Sequence, residues 1–352
     1  MMPCKLAIAS VSLGRSSAGH RLEDRLDAAR FYGYQGIELF YEEISHAART
    51  LPGGLTRDNE LKAAGTIARL CKDRQLEIIC LQPFWNYEGL LDRQEHADRL
   101  DQLSFWFSLA KTLGTDLIQI PSNFLPAPAL SGDTALAIAD LREAADMGLC
   151  QQPPIRFAYE ALCWGTHCDS WEESWDIVEA VDRPNFGLCL DTFNIAGRIY
   201  ADPTSPAFFT PNGDEAVSKS LERLVTRIDV SRVFSIQIVD AERLSQPLTA
   251  DHELHNPDQP PRMSWSRSCR LFYDEQDRGA CLPITKISQA IFKRLGFKGW
   301  VSMELFNKRA ADKDSNVPWE LAHRGEIAWR KLAEDMDLSV EMAGLTVQSA
   351  ST

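Results

Sequence analysis

Residues Phe186–Phe193 read FGLCLDTF. An apolar run leads without interruption into Asp191, and apolar residues resume within two positions. A strand that is apolar throughout has both faces covered, the condition of a strand in a parallel sheet. The same phrase recurs along the chain. Leu6–Leu13, Gly36–Tyr41, Leu76–Phe84, Asp116–Ser122, Arg156–Leu162, Phe234–Asp240 and Trp300–Phe306 are further short apolar runs with strand character. Amphipathic stretches alternate with them, Leu22–Tyr32, Glu60–Arg74, Ala97–Leu113 and Asp133–Met147 among these. Gly33 and Gly114 stand where helix C-caps are expected.

Eight such β-then-α units predict an α/β fold, a (β/α)8 TIM barrel forming a single domain over residues 1–336. A flexible C-terminal tail is expected over 337–352, where the chain turns small and polar. No GxGxxG follows the first strand, which argues against an open dinucleotide-binding sheet. Two connections are long, from Ile195 to about Asn212 after strand six and from Ala241 to about Pro283 after strand seven. In a barrel both lie on the face where active sites are built.

Composition narrows the function. The 352 residues carry 37 basic and 50 acidic side chains, a formal charge of −13, which repels a phosphate backbone and excludes a nucleic-acid partner without a segregated basic patch. No run reaches the ~18 consecutive apolar residues of a membrane helix. The first thirty residues include Arg15, His20, Glu23 and Asp24 and hold no apolar signal block, so the expected location is cytoplasmic. The nine cysteines form no CxxC pair and read as free thiols in a reducing compartment.

The last residues of strands five to eight bear the chemistry: Glu160 in FAYEAL, Asp191 in LCLDTF, Gln237 in SIQIVD and Glu304 in SMELF. Three carboxylates converging on one apolar rim repel one another unless a cation neutralises them. Oxygen-only donors suit a hard divalent ion such as Mg²⁺ or Mn²⁺. His167, in the loop after strand five, reads equally as a general base and as a capping or surface histidine. His20, in a Ser/Gly-rich loop after strand one, reads first as a helix-entry residue. The segment Trp265–Arg270 carries Arg267 and Arg270, either a carboxylate clamp or a salt-bridged surface loop.

These residues resemble a known family. The order Glu160, Asp191, Gln237, Glu304 is similar to that of the metal-dependent isomerases and dehydratases of the xylose-isomerase-like barrel superfamily. The blocks KLAIASVSLGRSSAGH, YGYQGIELFYEE, LQPFWNYEG, EALCWGTH, LCLDTFNIAGR and WSRSCRLF resemble the 3-dehydroshikimate dehydratases, especially those of fungal quinate catabolism. The likeness runs from about Lys5 to Leu332.

That resemblance implies a lyase that dehydrates 3-dehydroshikimate to protocatechuate through a metal-stabilised enolate, with Mg²⁺, Mn²⁺ or Co²⁺ held by Glu160, Asp191, Gln237 and Glu304. It implies catalytic roles for Glu160, His167 and Asn194, with His167 as the leading base and Asn194 orienting substrate. Ser266 and Arg270 would hold the substrate, Arg270 on its carboxylate, with Arg267, Gln82 and His20 completing the substrate side. One departure stands out: bacterial relatives place a histidine where this chain has Asn194, and an amide takes no proton at neutral pH. The rival expectation is a metal-dependent ketose isomerase or epimerase of the same superfamily. A repair endonuclease of this barrel type would need a histidine-rich zinc cluster and a basic face, and seven scattered histidines supply neither. A homo-oligomer is left open.

Overall fold

The computed structural model describes residues 4–339. Eight parallel strands close into a barrel, each followed by helical structure. Numbering the barrel strands alone, they are β1 Lys5–Ala9, β2 Gly36–Phe40, β3 Glu77–Gln82, β4 Leu117–Pro121, β5 Arg156–Glu160, β6 Phe186–Asp191, β7 Val233–Gln237 and β8 Trp300–Met303. Neighbours in sequence are neighbours in the sheet, and β8 closes on β1. The last helix, Val317–Met336, packs beside the first, Leu22–Phe31.

Side chains on each strand alternate between helices and barrel axis. Outward residues such as Ile37, Leu39, Leu188 and Leu190 join the large apolar layer between sheet and helices. Inward residues form a separate small cluster that includes Ala7, Cys80, Leu117, Ala158 and Cys189. Two residues further along each of four of these strands stand Gln82, Gln119, Glu160 and Asp191. The barrel axis is thus apolar and filled low down and polar at the strands' C-terminal end, which positions the site. Gly187 shows how tight this packing is: a Cβ there would lie 2.3 Å from the Arg232 carbonyl oxygen.

The strands stop earlier than the apolar runs suggested. β6 ends at Asp191, whose side chain accepts from the Asn194 backbone N–H and caps the helix Thr192–Ile199. The expected loop from Ile195 therefore begins as helix, and only the stretch from Tyr200 onward is irregular. The connection after β7 is also built. It carries the helix Pro261–Cys269 and a two-stranded ribbon pairing Asp240–Ala241 with Arg270–Leu271. Trp265 to Cys269 are helical, started by a proline at the first position and too short for a readable period. Gly33 and Gly114 do take the left-handed conformation that helix ends favour. Residues 340–352 of the expected tail lie outside the described residues.

A buried ion pair fastens the mouth of the barrel. Arg25 of the first helix is fully buried and grips both oxygens of Glu43, while also donating to the backbone of Ser10 and Gly14 and to Ser16 Oγ. It thereby ties the loop after β1 to the helix Tyr41–Arg49. Removing one member of such a pair strands the other's charge, so Arg25→Ala is expected to cost roughly 3–5 kcal/mol. Urea unfolding should show this loss, and a paired Arg25→Met/Glu43→Leu variant should lose less. Equal losses would mean that the charge pairing is not what Arg25 contributes.

Candidate active site

β5 and β6 end on Glu160 and Asp191, and Glu304 follows β8 directly. One oxygen from each of the three carboxylates lies within 4.8 Å of the others, and all three residues are buried. Gln237 stands level with Asp191 across β6 and β7 and with Ser302 across β7 and β8. The four strand-end residues expected from sequence therefore share one place. Glu160 is oriented by two amides, Gln119 Nε2 at 2.7 Å and Asn194 Nδ2 at 2.8 Å. Asn194 thus holds Glu160, and its own oxygen accepts from the Cys163 backbone at 3.1 Å.

Arg270 is the counter-charge. Its Nη1 donates to Asp191 Oδ2 at 2.7 Å and to Glu304 Oε2 at 3.0 Å, and its Nε donates to Ser266 Oγ at 3.0 Å. The guanidinium sits over Phe193 and Phe306, 4.6 and 5.0 Å from the ring centres. The bidentate clamp expected of Arg270 is not available to a substrate: each edge of the fork already has a nitrogen engaged, and only Nη2 lacks a partner among the described residues. Burial opposes its charge, but Asp191, Glu304 and Glu160 together raise its pKa.

The donor set fits a hard divalent cation. Three carboxylates against one guanidinium leave two negative charges, and all the donors are oxygens. A second group, His96, Asp140 and Glu143, lies on the helices outside the barrel, where Arg93 already neutralises Asp140.

Above the cluster opens a cavity of about 410 Å³. Glu160, Glu304, Gln82, Ser266, Arg267 and Arg270 line it together with Arg15, Trp85, Trp164, Phe40 and Phe306. Arg15 is paired with Glu42 at 3.0 Å, whereas Arg267 has no ion pair among the described residues. Partial desolvation, and after it the charge of Arg15, draw the Arg267 pKa down.

Neither expected histidine reaches this cavity. His167 is exposed and borders a separate void of about 30 Å³ with Glu88, Asn123 and Tyr159, because the loop after β5 turns away from the mouth. His20 is buried with Nε2 2.6 Å from the Asp312 carbonyl, latching the loop after β1 to the one after β8. Sequence reasoning also passed over Glu38, Gln119, Arg15 and the two tryptophans. Glu38 in GIELF and Gln119 in LIQIP carry the same signal as Glu160, a single polar residue inside an apolar strand.

The family model of the xylose isomerase-like TIM barrel matches residues 26–332, and the chain belongs to that family. Among its relatives is the 3-dehydroshikimate dehydratase of Neurospora crassa, 55% identical over 356 residues that cover 99% of both chains. The 3-dehydroshikimate dehydratase of Pseudomonas aeruginosa is 30% identical over 88% of this chain, which spans 40% of that longer protein. A solved xylose isomerase-like TIM barrel/4-hydroxyphenylpyruvate dioxygenase fusion protein superposes on 95% of this chain and 43% of its own, with a TM-score of 0.69 and 25% identity.

Burial, and then the charge of Asp191, push the Glu160 carboxyl up from 4.5 to about 8, against the pull of Arg270. Burial lifts Glu304 in the same direction. Native metal-free protein then binds more protons than the unfolded chain, so its stability falls as pH rises from about 5 to about 8. A divalent ion bound there would replace those protons, and its stabilising effect would grow over the same window. Thermal unfolding in chelator should show Tm falling across this range, with added Mn²⁺ raising Tm most at the alkaline end. A Tm independent of pH in chelator would show that these carboxyls do not titrate as their burial requires.

Proposed function

We infer that this chain dehydrates 3-dehydroshikimate to protocatechuate, an aromatic product formed with loss of water. The observation that carries this reading is the identity to the N. crassa enzyme, which runs at 55% along 99% of both chains. The cavity supports it chemically. Aromatic walls from Trp85, Trp164, Phe40 and Phe306 suit a flat six-membered ring, and the unpaired Arg267 suits its carboxylate. A neutral ketose would leave Arg267 without a partner, which counts against the isomerase reading.

Glu160, Asp191 and Glu304, with the Gln237 amide oxygen, are the residues that would hold Mg²⁺, Mn²⁺ or Co²⁺. Such an ion supplies Lewis acidity toward the ketone oxygen. Among the described residues that line the cavity there is no imidazole, and only carboxylates accept a proton near neutral pH. Glu304 is bonded to the Arg270 guanidinium and Glu42 to Arg15, which weakens both as bases, whereas the protein itself gives Glu160 only neutral amide donors. Glu160 therefore takes the proton next to the ketone. The electron pair released there forms the new double bond and expels the β-hydroxyl, which recovers the proton from Glu160 and leaves as water. Tautomerisation of the resulting dienone then gives the aromatic ring. Arg267, with Nη2 of Arg270, grips the substrate carboxylate, while Ser266 holds Arg270 and Gln82 contributes an amide to the wall.

An absorbance assay for protocatechuate tests this reading directly: product should form, vanish with chelator and return with Mg²⁺, Mn²⁺ or Co²⁺. No product from folded, metal-replete protein would overturn it. Glu160→Gln should lower kcat by roughly 100-fold or more. Arg267→Ala removes a charge-assisted contact worth about 1.5–3 kcal/mol and should raise KM by roughly 10- to 100-fold, with a smaller effect on kcat. His167→Ala should keep the native kcat, and a large fall would return the base role to the loop after β5.

A further inference from the structure

The barrel interior holds a fourth acid near the three carboxylates, Glu38 of β2, with no exposed surface. Every side-chain hydrogen bond it makes is one it accepts. Its Oε2 takes Ser302 Oγ at 2.7 Å, Gln82 Nε2 at 3.2 Å and Gln237 Nε2 at 3.2 Å. Its Oε1 takes Gln237 Nε2 at 3.4 Å and Ser235 Oγ at 3.5 Å. Two of these donors are the amide nitrogens of the glutamines that end β3 and β7.

A primary amide has a donor end and an acceptor end of nearly the same shape, so either could face a given neighbour. Only the oxygen end binds a cation. Gln237 stands beside Asp191 in the sheet, where a flipped amide would aim N–H groups at the ion and repel it. With Nε2 on Glu38, a flip would give up these hydrogen bonds and set the amide oxygen against the carboxylate. Among the described residues the Gln237 Oε1 is left with one weak partner, the Cys189 thiol at 3.5 Å. The same acceptor holds Gln82, a wall of the substrate cavity, by its nitrogen.

We propose that Glu38 is a positioning residue that locks the amide orientation of Gln237 and Gln82, presenting the Gln237 oxygen to the cation and the Gln82 oxygen to the substrate. The proposal rests on the reading of the carboxylate cluster as a metal seat. Glu38 touches neither ion nor substrate; it acts by denying the amides their wrong orientation. Outer partners of this kind typically change metal affinity by about 10- to 100-fold when removed.

The test is Mn²⁺ affinity, measured by calorimetry on metal-stripped full-length protein whose fold is checked by circular dichroism. Glu38→Gln removes the charge and brings in a donor, so Gln237 is free to flip, and binding should weaken by roughly 10- to 100-fold. Gln237→Glu has an oxygen at both ends and no orientation to lock. In that background Glu38→Gln should cost little or even improve binding, because the new amide donates to the new carboxylate. Such non-additivity is the signature of positioning. Equal losses in both backgrounds would reduce Glu38 to a negative charge and overturn the proposal. Glu38→Asp keeps the charge but withdraws the acceptor by one methylene, and it should also weaken binding; native affinity there overturns the proposal even if Glu38→Gln does not fold. Native affinity in Glu38→Gln sinks the positioning role alone, whereas native protein that takes up no Mn²⁺ removes the metal seat itself and this proposal with it.

Discussion

Three carboxylates buried within 4.8 Å of one another are the constraint around which the rest of this protein is arranged. At an effective dielectric of about 20, two like charges at that separation repel by roughly 3–4 kcal/mol. Such a cluster is tolerable only with counter-charge, with raised proton affinity, or with both. Arg270 supplies the first by bridging Asp191 and Glu304, and burial supplies the second at Glu160 and Glu304. The site is thereby primed for a divalent ion, which would displace protons and balance the remaining charge.

The barrel divides its labour along its axis to hold that cluster. Low in the barrel the inward residues are small and apolar, and they fix the strands by packing. Near the strands' C-terminal ends the inward positions turn polar and bond mainly to one another, from Glu38 and Gln82 round to Gln237 and Ser302. Arg270 comes from the connection after β7 and not from a barrel strand. The ribbon with Asp240–Ala241 carries it in, and its backbone is pinned beside β8 through the Phe306 carbonyl and the Asn307 side chain. The connection that reads as one long loop in the sequence is a scaffold for one charge.

Much of this was legible residue by residue. The eight strands follow from the apolar runs themselves, and the strand-end oxygens Glu160, Asp191, Gln237 and Glu304 from a second local rule: a polar residue inside an apolar run must have a partner or a purpose. Glu38 and Gln119 obey the same rule, but they stand on strands two and four, outside the succession of strand-end oxygens on strands five to eight. The histidines were misplaced for a different reason. His167 lies only seven residues beyond Glu160, but the loop direction that takes it to a separate void is set by contacts with the segments around Glu88 and Asn123. The pairing of Arg270 with Asp191, 79 residues away, leaves no mark on the sequence neighbours of either residue.

What the sequence by itself determined is the periodic part: which segments are strands, which alternate residues face the axis, and that oxygen donors gather at one end. Hydrophobic periodicity is a local property, and a closed parallel barrel is the arrangement that buries all eight runs at once. Only the tertiary structure decided which guanidinium is largely engaged by the carboxylates and which is free of ion pairs among the described residues, which amides orient which acids, and which histidines stand outside. Those choices depend on distances between side chains brought together by different strands and loops, and electrostatic partnership at a few ångströms leaves no periodic trace in the chain.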